Sequence, residues 1–524
     1  MQTIDLTGDD APRPTPTRRV TVPASSPYDL DAIATTWDTL GRNKVTRLLH
    51  VAKLSPSLAG PALSLALSAI KATTLDTRLY EESYLVYRHF QEALAKGEVT
   101  DPQAKAWYEQ HAGGVDGASF ESFDKAWIEK SKHEAQAGLD RLEIELKGYL
   151  TNLIKESIRM GHRDLARFQY RVGDLQAAIR SYTKSREYGS TSQHMLEMSL
   201  GVIEVALDMS NYAFIRTYVA KAESALESAQ ASASNNAKKS AAPVNLPGMV
   251  APAQDPIEAA KERERKIVQE RLLVASGVAH LGSGAYDRAA YSFTDVGTEA
   301  LSSGTSHFIP PADVALYATV TGLACFSRSK LRTRILENPN LRPFLDLEPY
   351  LRDIARAFYD NKFKVGLDLL EKYQASLACQ SPKLPRLQAR LQLDLHLSPH
   401  VDSLLSSIRQ RALQSYFSPF ASVSLDHMSA AFGWSADSTQ AAVIDLIQRG
   451  ALKARIDSAK GILVAKRVEP RVEAFRNALD QGEKMQKKAV ASQLRMKLLQ
   501  NEIVVKPKRA PKDQDDGRVP MLAD

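Results

Sequence analysis

The chain has 524 residues, which is too long for one compact core and favours several domains or an extended repeat architecture. Its hydrophobic fraction of 44% is ordinary for a globular protein, and its formal net charge of +7 is a weak excess, with both signs mixed along the chain. This mixing argues against a dedicated nucleic-acid binder. The two cysteines, Cys325 and Cys379, exclude a disulfide framework and a set of four cysteine zinc ligands, and they indicate a reducing compartment.

The first 27 residues are predicted to be a disordered tail, because prolines alternate there with Thr, Ser and Arg and little apolar surface can be buried. Within this tail, Ile4, Asp5 and Leu6 precede two acids and resemble a SUMO-interacting motif, which adds a strand to the edge of a ubiquitin-like modifier. A solvated tail is the alternative. The tail lacks the apolar core of a secretory signal, and no window approaches the ~20 apolar residues of a membrane helix. We therefore expect a soluble intracellular protein without membrane contact.

Residues 28–395 are predicted to form an all-α solenoid of tetratricopeptide-like repeats. A turn glycine, Gly173, is followed by a small residue five positions later and an aromatic residue nine positions later. The same offsets recur from Gly284, and a degenerate copy starts at Asn361. A glycine permits a tight turn, the small residue allows two helices to approach, and the aromatic residue fills the space beyond. The unequal separation of the copies predicts irregular units, each stacked on its neighbours.

One segment interrupts this pattern. Residues 226–258 are dominated by small residues, Pro and Asn, and they are predicted to form a flexible surface insertion. The charged run that follows is interpreted as the solvated face of a helix.

Residues 396–468 have the pattern of a winged helix. Ser424 is placed to cap a short helix, a second helix is predicted over 438–449, and Gly450 ends it. Leu452, Ala454 and Ile456 then alternate with polar residues, and after a turn Ile462 and Val464 alternate again. Two helices followed by a hairpin define this fold, and the outer strand of such a hairpin offers a free edge to another chain.

A single amphipathic helix is predicted over residues 469–505, followed by a disordered tail over 506–524. Its apolar stripe includes Phe475, Leu479, Leu494 and Leu498, and nothing later in the chain can cover it. The stripe can fold back on its own domain or join partner helices, and we favour the second arrangement. The tail contains a basic cluster, KPKRAPK, that suits nuclear import, with a solvated tail as the alternative.

No catalytic, cofactor or metal site is predicted. His396 and His400 have a spacing that could place two metal ligands on one helix face, but Pro399 lies between them and a third ligand is not evident. The Gly282-Ser283-Gly284 run lacks the preceding strand and the following Lys-Ser/Thr of a phosphate loop. The second helix of the winged helix is largely apolar and carries Asp445, which argues against nucleic-acid binding by this helix.

Several segments together resemble the signalosome subunit-one family, which combines helical repeats with a PCI-type winged helix. The segments with this resemblance, spread over roughly residues 28–505, are 41–52 (GRNKVTRLLHVA), 161–166 (GHRDLA), 408–413 (IRQRAL), 416–420 (YFSPF), 428–432 (MSAAF) and 454–458 (ARIDS). Nothing carries over to the N-terminal tail, the 226–258 insertion or the terminal tail.

The resemblance implies a non-catalytic scaffold that supports removal of Nedd8 from cullins and so regulates cullin-RING ligases. It implies that other PCI subunits and a zinc isopeptidase subunit are partners, and that the protein is found in nucleus and cytoplasm. The wing and the last helix would then form the partner interface. Two alternatives stay open: a proteasome lid subunit of the same architecture, and a PCI adaptor in RNA export.

Overall fold

The computed structural model describes residues 29–97, 101–112, 121–240, 256–299, 308–371, 390–458, 460–466 and 470–501. The chain divides into two compact units, Met1–Leu452 and Lys453–Asp524. Ile4, Asp5 and Leu6 lie outside the described residues, as do Cys379 and the basic cluster of the C-terminal tail.

The first unit begins with helices, some of which are capped at their N-termini by acidic side chains. These helices are α1 (Leu30–Thr36), α2 (Arg42–Leu54), α3 (Pro56–Thr73), α4 (Thr77–Ala95), α5 (Pro102–Ala112) and α6 (Lys125–Thr151). Asp29, Asp76 and Asp124 precede α1, α4 and α6, and each carboxylate accepts a hydrogen bond from a backbone N–H of the first turn. Such a cap satisfies donors that have no partner inside the helix.

Paired helices follow, as the sequence predicts. They are α7 (Lys155–Val172), α8 (Leu175–Ser185), α9 (Ser192–Asp208), α10 (Tyr212–Ser240), α11 (Pro256–Gly282), α12 (Tyr286–Thr294), α13 (Pro311–Cys325), α14 (Arg328–Leu331), α15 (Arg342–Leu347), α16 (Pro349–Tyr359) and α17 (Phe363–Glu371). A π-helical turn, Arg332–Leu336, follows α14 directly. Helix α13 is buried on nearly every face and forms the centre of the first unit.

The turn residues of the three predicted repeat copies all have left-handed backbone conformations. The φ angles are 99° at Gly173, 74° at Gly284 and 60° at Asn361. At each turn the next residue donates its N–H to a carbonyl five positions back, for example Asp174 to Gln169 at 3.0 Å. This bond closes a Schellman-type helix end, which confirms the predicted function of the turn.

The small and aromatic positions of the repeat are buried as predicted. Ala178 and Ala289 are fully buried, and so is Phe293. The ring of Tyr182 lies against Gly201 of α9, where an added Cβ would come within 2.6 Å of the ring. Glycine at this position is therefore a packing requirement of the repeat.

Two further turns with a left-handed φ angle were not predicted from the sequence. Leu153, between α6 and α7, has a φ of 53°, and Ser210, between α9 and α10, has a φ of 54°. Five residues after each turn lies a buried isoleucine, Ile158 or Ile215. These units escaped detection because neither turn residue is a glycine.

The predicted insertion is shorter than expected. Helix α10 continues to Ser240, so the prediction of a loop over 226–240 is wrong, and α11 begins at Pro256. The physical reason is the alanine-rich composition of 226–240, which favours helix as much as flexibility. Residues 241–255 lie outside the described residues.

The first unit ends with the helices of the predicted winged helix. A 3₁₀ turn, Ser398–His400, leads into α18 (Val401–Phe417), the short strand β1 (Ser422–Ser424), α19 (Leu425–Phe432) and α20 (Ala436–Gln448). Ser424 occupies the predicted N-cap position of α19 but its side chain makes no cap hydrogen bond. Gly450, with a φ of 70°, lies just after α20 as predicted.

The second unit contains an antiparallel hairpin and one long helix. The hairpin strands are β2 (Ala454–Asp457) and β3 (Ile462–Ala465), and the helix is α21 (Pro470–Gln500). An ion pair of 2.7 Å between Lys453 Nζ and Glu473 Oε1 joins the start of the hairpin to the first turn of α21. The sequence of elements confirms the predicted fold class: helical repeats, a winged helix and a long C-terminal helix.

Candidate interaction surface

A buried ionic cluster connects the beginning of the chain to the approach to the winged helix. Arg47 Nη1 of α2 lies 2.5 Å from Asp313 Oδ2 of α13, and Arg390 Nη2 lies 3.0 Å from Asp313 Oδ1. Arg390 also pairs with Glu348. Burial raises the pKa of Asp313, but the charges of Arg47 and Arg390 outweigh burial and hold that pKa below its usual value. The cluster therefore fixes three distant segments to one another.

Asp394 is the second carboxylate of this cluster. It accepts hydrogen bonds from the Tyr317 hydroxyl at 2.8 Å and from the backbone N–H groups of His396 and Leu397, both at 2.9 Å. Burial raises the pKa of Asp394. Asp394 Oδ2 also lies 3.7 Å from Arg47 Nη1, so Asp394 belongs to the same buried network as Asp313.

The two candidate metal-ligand histidines contact different aromatic partners. His396 is buried against Tyr317, and burial lowers its pKa to about 3. His400 ends the 3₁₀ turn, where its Nδ1 lies 3.1 Å from the Tyr286 hydroxyl. Among the described residues, no group of three or more His, Cys, Asp or Glu side chains is arranged to hold a metal ion. None of the described helices is long and apolar enough to span a bilayer.

The wing presents two different faces. In the observed register Ile456 lies opposite Leu463, and Arg455 lies opposite Val464. Residues directly opposite each other share a face, so Ala454 and Ile456 lie on one face with Leu463. The other face carries Ile462 and Val464.

The predicted wing residues therefore do not form one surface. Leu463 is fully buried, and Leu452 and Ala454 are also buried within the chain. Val464 is 41% exposed, which makes it the most accessible of the predicted wing side chains. On the side away from β3, strand β2 has no strand partner within the described ranges, so its backbone edge is open to another chain. The role of this edge in partner binding stays a prediction.

Helix α21 exposes its apolar side chains to solvent. Phe475 is 68% exposed, Leu479 58% and Leu494 59%, whereas Leu498 is partly buried. Five more large apolar residues of α21 are exposed: Val472, Met485, Val490, Met496 and Leu499. Single exposed apolar residues are normal on a protein surface, whereas α21 exposes many along its length. The role of these side chains in partner binding stays a prediction.

The surface of α20 is poorly suited to a phosphate backbone. Its single arginine neighbour, Arg449, pairs with Asp445 at 2.9 Å, and Asp437 lies in the first turn. Ile444 is exposed near the middle of the helix. An apolar and acidic helix of this kind favours contact with protein over contact with DNA.

The ionic cluster was not found by sequence reasoning. Arg47 and Asp313 are separated by 266 positions, and neither residue belongs to a recognisable motif. The one available signal was the spacing of Arg47 from Val51 and Leu54, which places Arg47 on the buried face of α2. Burial lowers the pKa of His50 to about 4, which keeps this partly buried histidine neutral.

Comparison with known proteins decides the family. COP9 signalosome complex subunit 1 of Arabidopsis thaliana is 31% identical over 479 residues, covering 91% of this chain and 91% of the relative. The chain belongs to the COP9 signalosome subunit 1 family. COP9 signalosome complex subunit 1b of Drosophila melanogaster is 30% identical over 490 residues, covering 88% of this chain and 84% of the relative.

Two domain families also match within this signalosome-subunit chain. The 26S proteasome subunit RPN7 family matches residues 124–334, which contain the paired helices. The PCI domain matches residues 370–467, which contain the winged helix. The 26S proteasome non-ATPase regulatory subunit 6 of Dictyostelium discoideum is 20% identical over 363 residues. The resemblance inferred from the sequence is thereby confirmed, and a signalosome subunit with a PCI domain is the function class that follows.

Proposed function

We propose that this chain is a non-catalytic scaffold subunit of the signalosome that supports removal of Nedd8 from cullins. The observation that carries the proposal is the solvent-exposed apolar surface of α21 in a member of the signalosome subunit 1 family. A helix with this surface gains stability when partner helices cover it, so it suits assembly into a larger complex.

In this proposal, a zinc isopeptidase in another subunit carries out the chemistry of deneddylation. The proposed partners are other PCI subunits, which meet the wing and α21, and cullin-RING ligases, which the repeat region helps to orient. In this arrangement the buried ionic cluster holds the repeat region and the approach to the winged helix in fixed relation. We further propose that the protein acts in nucleus and cytoplasm, with the basic cluster of the tail as the import signal.

A proteasome lid subunit is the second candidate, because the RPN7 family matches residues 124–334. The lower identity to the proteasome relative, 20%, disfavours it. An adaptor for RNA export is disfavoured by the apolar and acidic surface of α20.

The experiment is a native affinity purification of the tagged full chain, followed by mass spectrometry and an assay for Nedd8 release from a cullin. The proposal predicts recovery of PCI subunits together with a zinc isopeptidase and deneddylating activity. Deletion of residues 400–505 is expected to remove both. Recovery of proteasome base and lid proteins, or of RNA and export factors, contradicts the proposal and selects the corresponding alternative.

A further inference from the structure

The two halves of α21 differ sharply in charge. Its first fourteen residues, 470–483, contain two arginines and three acids, which gives a net charge of −1. The remaining residues, 484–500, contain five basic side chains and no acid, which gives a net charge of +5. The basic residues are Lys484, Lys487, Lys488, Arg495 and Lys497, and all are exposed.

Most of these charges lack a partner within the helix. Lys487 lies 3.7 Å from Glu483, at the junction of the two halves. In the part of the chain that the structure describes, no carboxylate lies within ion-pair distance of Lys484, Lys488, Arg495 or Lys497. Uncompensated charge of one sign along a helix destabilises it when isolated and favours a partner of the opposite sign.

The positions of the basic residues relative to the apolar residues define a seam. Since an α-helix turns about 100° per residue, Lys484, Lys488 and Arg495 fall in one row along the helix. Leu494 and Leu498 lie on one side of this row, and the side chains on its other side are Met485, Met496 and Leu499. The row is thus flanked by apolar strips on both sides.

We propose that the basic half of α21 docks an acidic amphipathic helix, whose Asp or Glu side chains lie along the Lys484–Lys488–Arg495 row while its apolar stripe covers one of the adjoining strips. This inference rests on the proposed function, in which α21 is an assembly surface, and it specifies the chemistry of the partner. Charges that flank an apolar seam determine which helices pair, because like charges across the seam repel.

Two other occupants fit the surface less well. A second copy of α21 in parallel would place five basic residues against five, and in antiparallel it would meet a half with almost no net charge. A flat anionic bilayer covers one side of a helix, so it would leave one apolar strip exposed or bury the basic row that separates the strips. A helix can occupy one strip and leave the other for a further helix of a bundle.

The test uses the purified full chain and two fluorescent peptides of about four heptads, with leucine at the a and d positions and either glutamate or lysine at e and g. Fluorescence anisotropy is expected to show about tenfold tighter binding of the glutamate peptide, as three exposed ion pairs would provide. The preference should shrink when salt is raised to about 0.5 M. The K484E/K488E/R495E variant should prefer the lysine peptide.

The matched control is K125E/K130E/K147E, which reverses three exposed lysines of α6 and should leave the preference unchanged. Equal binding of the two peptides, binding of neither, or preferential binding to phosphatidylserine vesicles would overturn the inference. Failure of this charge inference can be distinguished from failure of the proposed function. If the charge-reversed chain still recovers signalosome subunits from cells, the charge inference fails and the scaffold proposal stands. If the wild-type chain recovers none, the scaffold proposal fails.

Discussion

Asp313 is the carboxylate on which the buried ionic cluster depends. It lies between Arg47 and Arg390, and the side chains of Arg47 and Asp313 are only 2% and 4% exposed. The Asp313→Asn substitution preserves the shape of the side chain but leaves two guanidinium groups with one less counter-charge in the interior. Breaking a buried ion pair in this way costs about 3–5 kcal/mol of unfolding free energy.

The expected change in melting temperature follows from the size of the unit. With roughly 400 residues and about 2.1 cal/mol/K of unfolding entropy per residue, the melting temperature of the first unit falls by about 1.2 °C for each kcal/mol of lost unfolding free energy. Asp313→Asn should therefore lower the melting temperature by about 4–6 °C, measured by circular dichroism on the full chain.

The matched control is Asp38→Asn, which removes the partner of Lys44 in an ion pair at the surface, where Asp38 is 62% exposed. That change should cost at most about 1 kcal/mol. If the two variants lower the melting temperature equally, or if Asp313→Asn leaves it unchanged, the cluster does not stabilise the fold as argued.

Three further predictions concern packing, pH and thiol reactivity. Gly201→Ala should destabilise the chain by about 1–3 kcal/mol in urea unfolding, because the new Cβ would overlap the Tyr182 ring. The control is Gly148→Ala at an exposed helical position with free space around it, which should be stabilising or neutral. Gly282 cannot serve as a control because it also lies against an aromatic ring. Burial raises the pKa of Asp208 to about 6, so the folded state binds more protons than the unfolded state between pH 4 and 6, and this group's contribution to stability falls as pH rises through that window. The free energy of unfolding of Asp208→Asn should exceed that of the wild type by on the order of 2 kcal/mol at pH 7 and by almost nothing at pH 4. A difference in unfolding free energy that stays constant with pH would contradict this prediction. Burial raises the pKa of the Cys325 thiol to about 11, which lowers the fraction of reactive thiolate at pH 8. In a Cys379→Ser background, Cys325 should therefore react with a disulfide reagent on the order of 100-fold more slowly in the folded chain than in the unfolded chain. Equal rates would refute the raised thiol pKa.

The repeat architecture was predictable where local chemistry specifies the turn. Gly173 and Gly284 identified two turns because glycine readily adopts the left-handed conformation. Leu153 and Ser210 adopt similar φ angles without that signal, since the packing of the following helices imposes the conformation. The prediction therefore found the class of fold but counted too few of its units.

The candidate surface was predictable in part. The exposed stripe of α21 followed from helical periodicity, which needs no knowledge of tertiary structure. The two faces of the wing did not, because the pairing of Ile456 with Leu463 depends on register, and a shift of one residue exchanges the faces. The pairing of Arg47 with Asp313 could not be foreseen at all, because it joins segments that meet only in the folded chain.

In the proposed function, the apolar surface of α21 joins this chain to other signalosome subunits. The most direct measurement is quantitative affinity purification of the F475D/L479D/L494D variant, compared with A126D/H133D/A137D, which places three acids at exposed positions of α6. The α21 variant should keep the wild-type melting temperature, because these side chains are exposed, yet lose signalosome subunits and cullin deneddylation. The α6 variant should retain both. Full recovery of signalosome subunits by the α21 variant would contradict the proposed role of this helix.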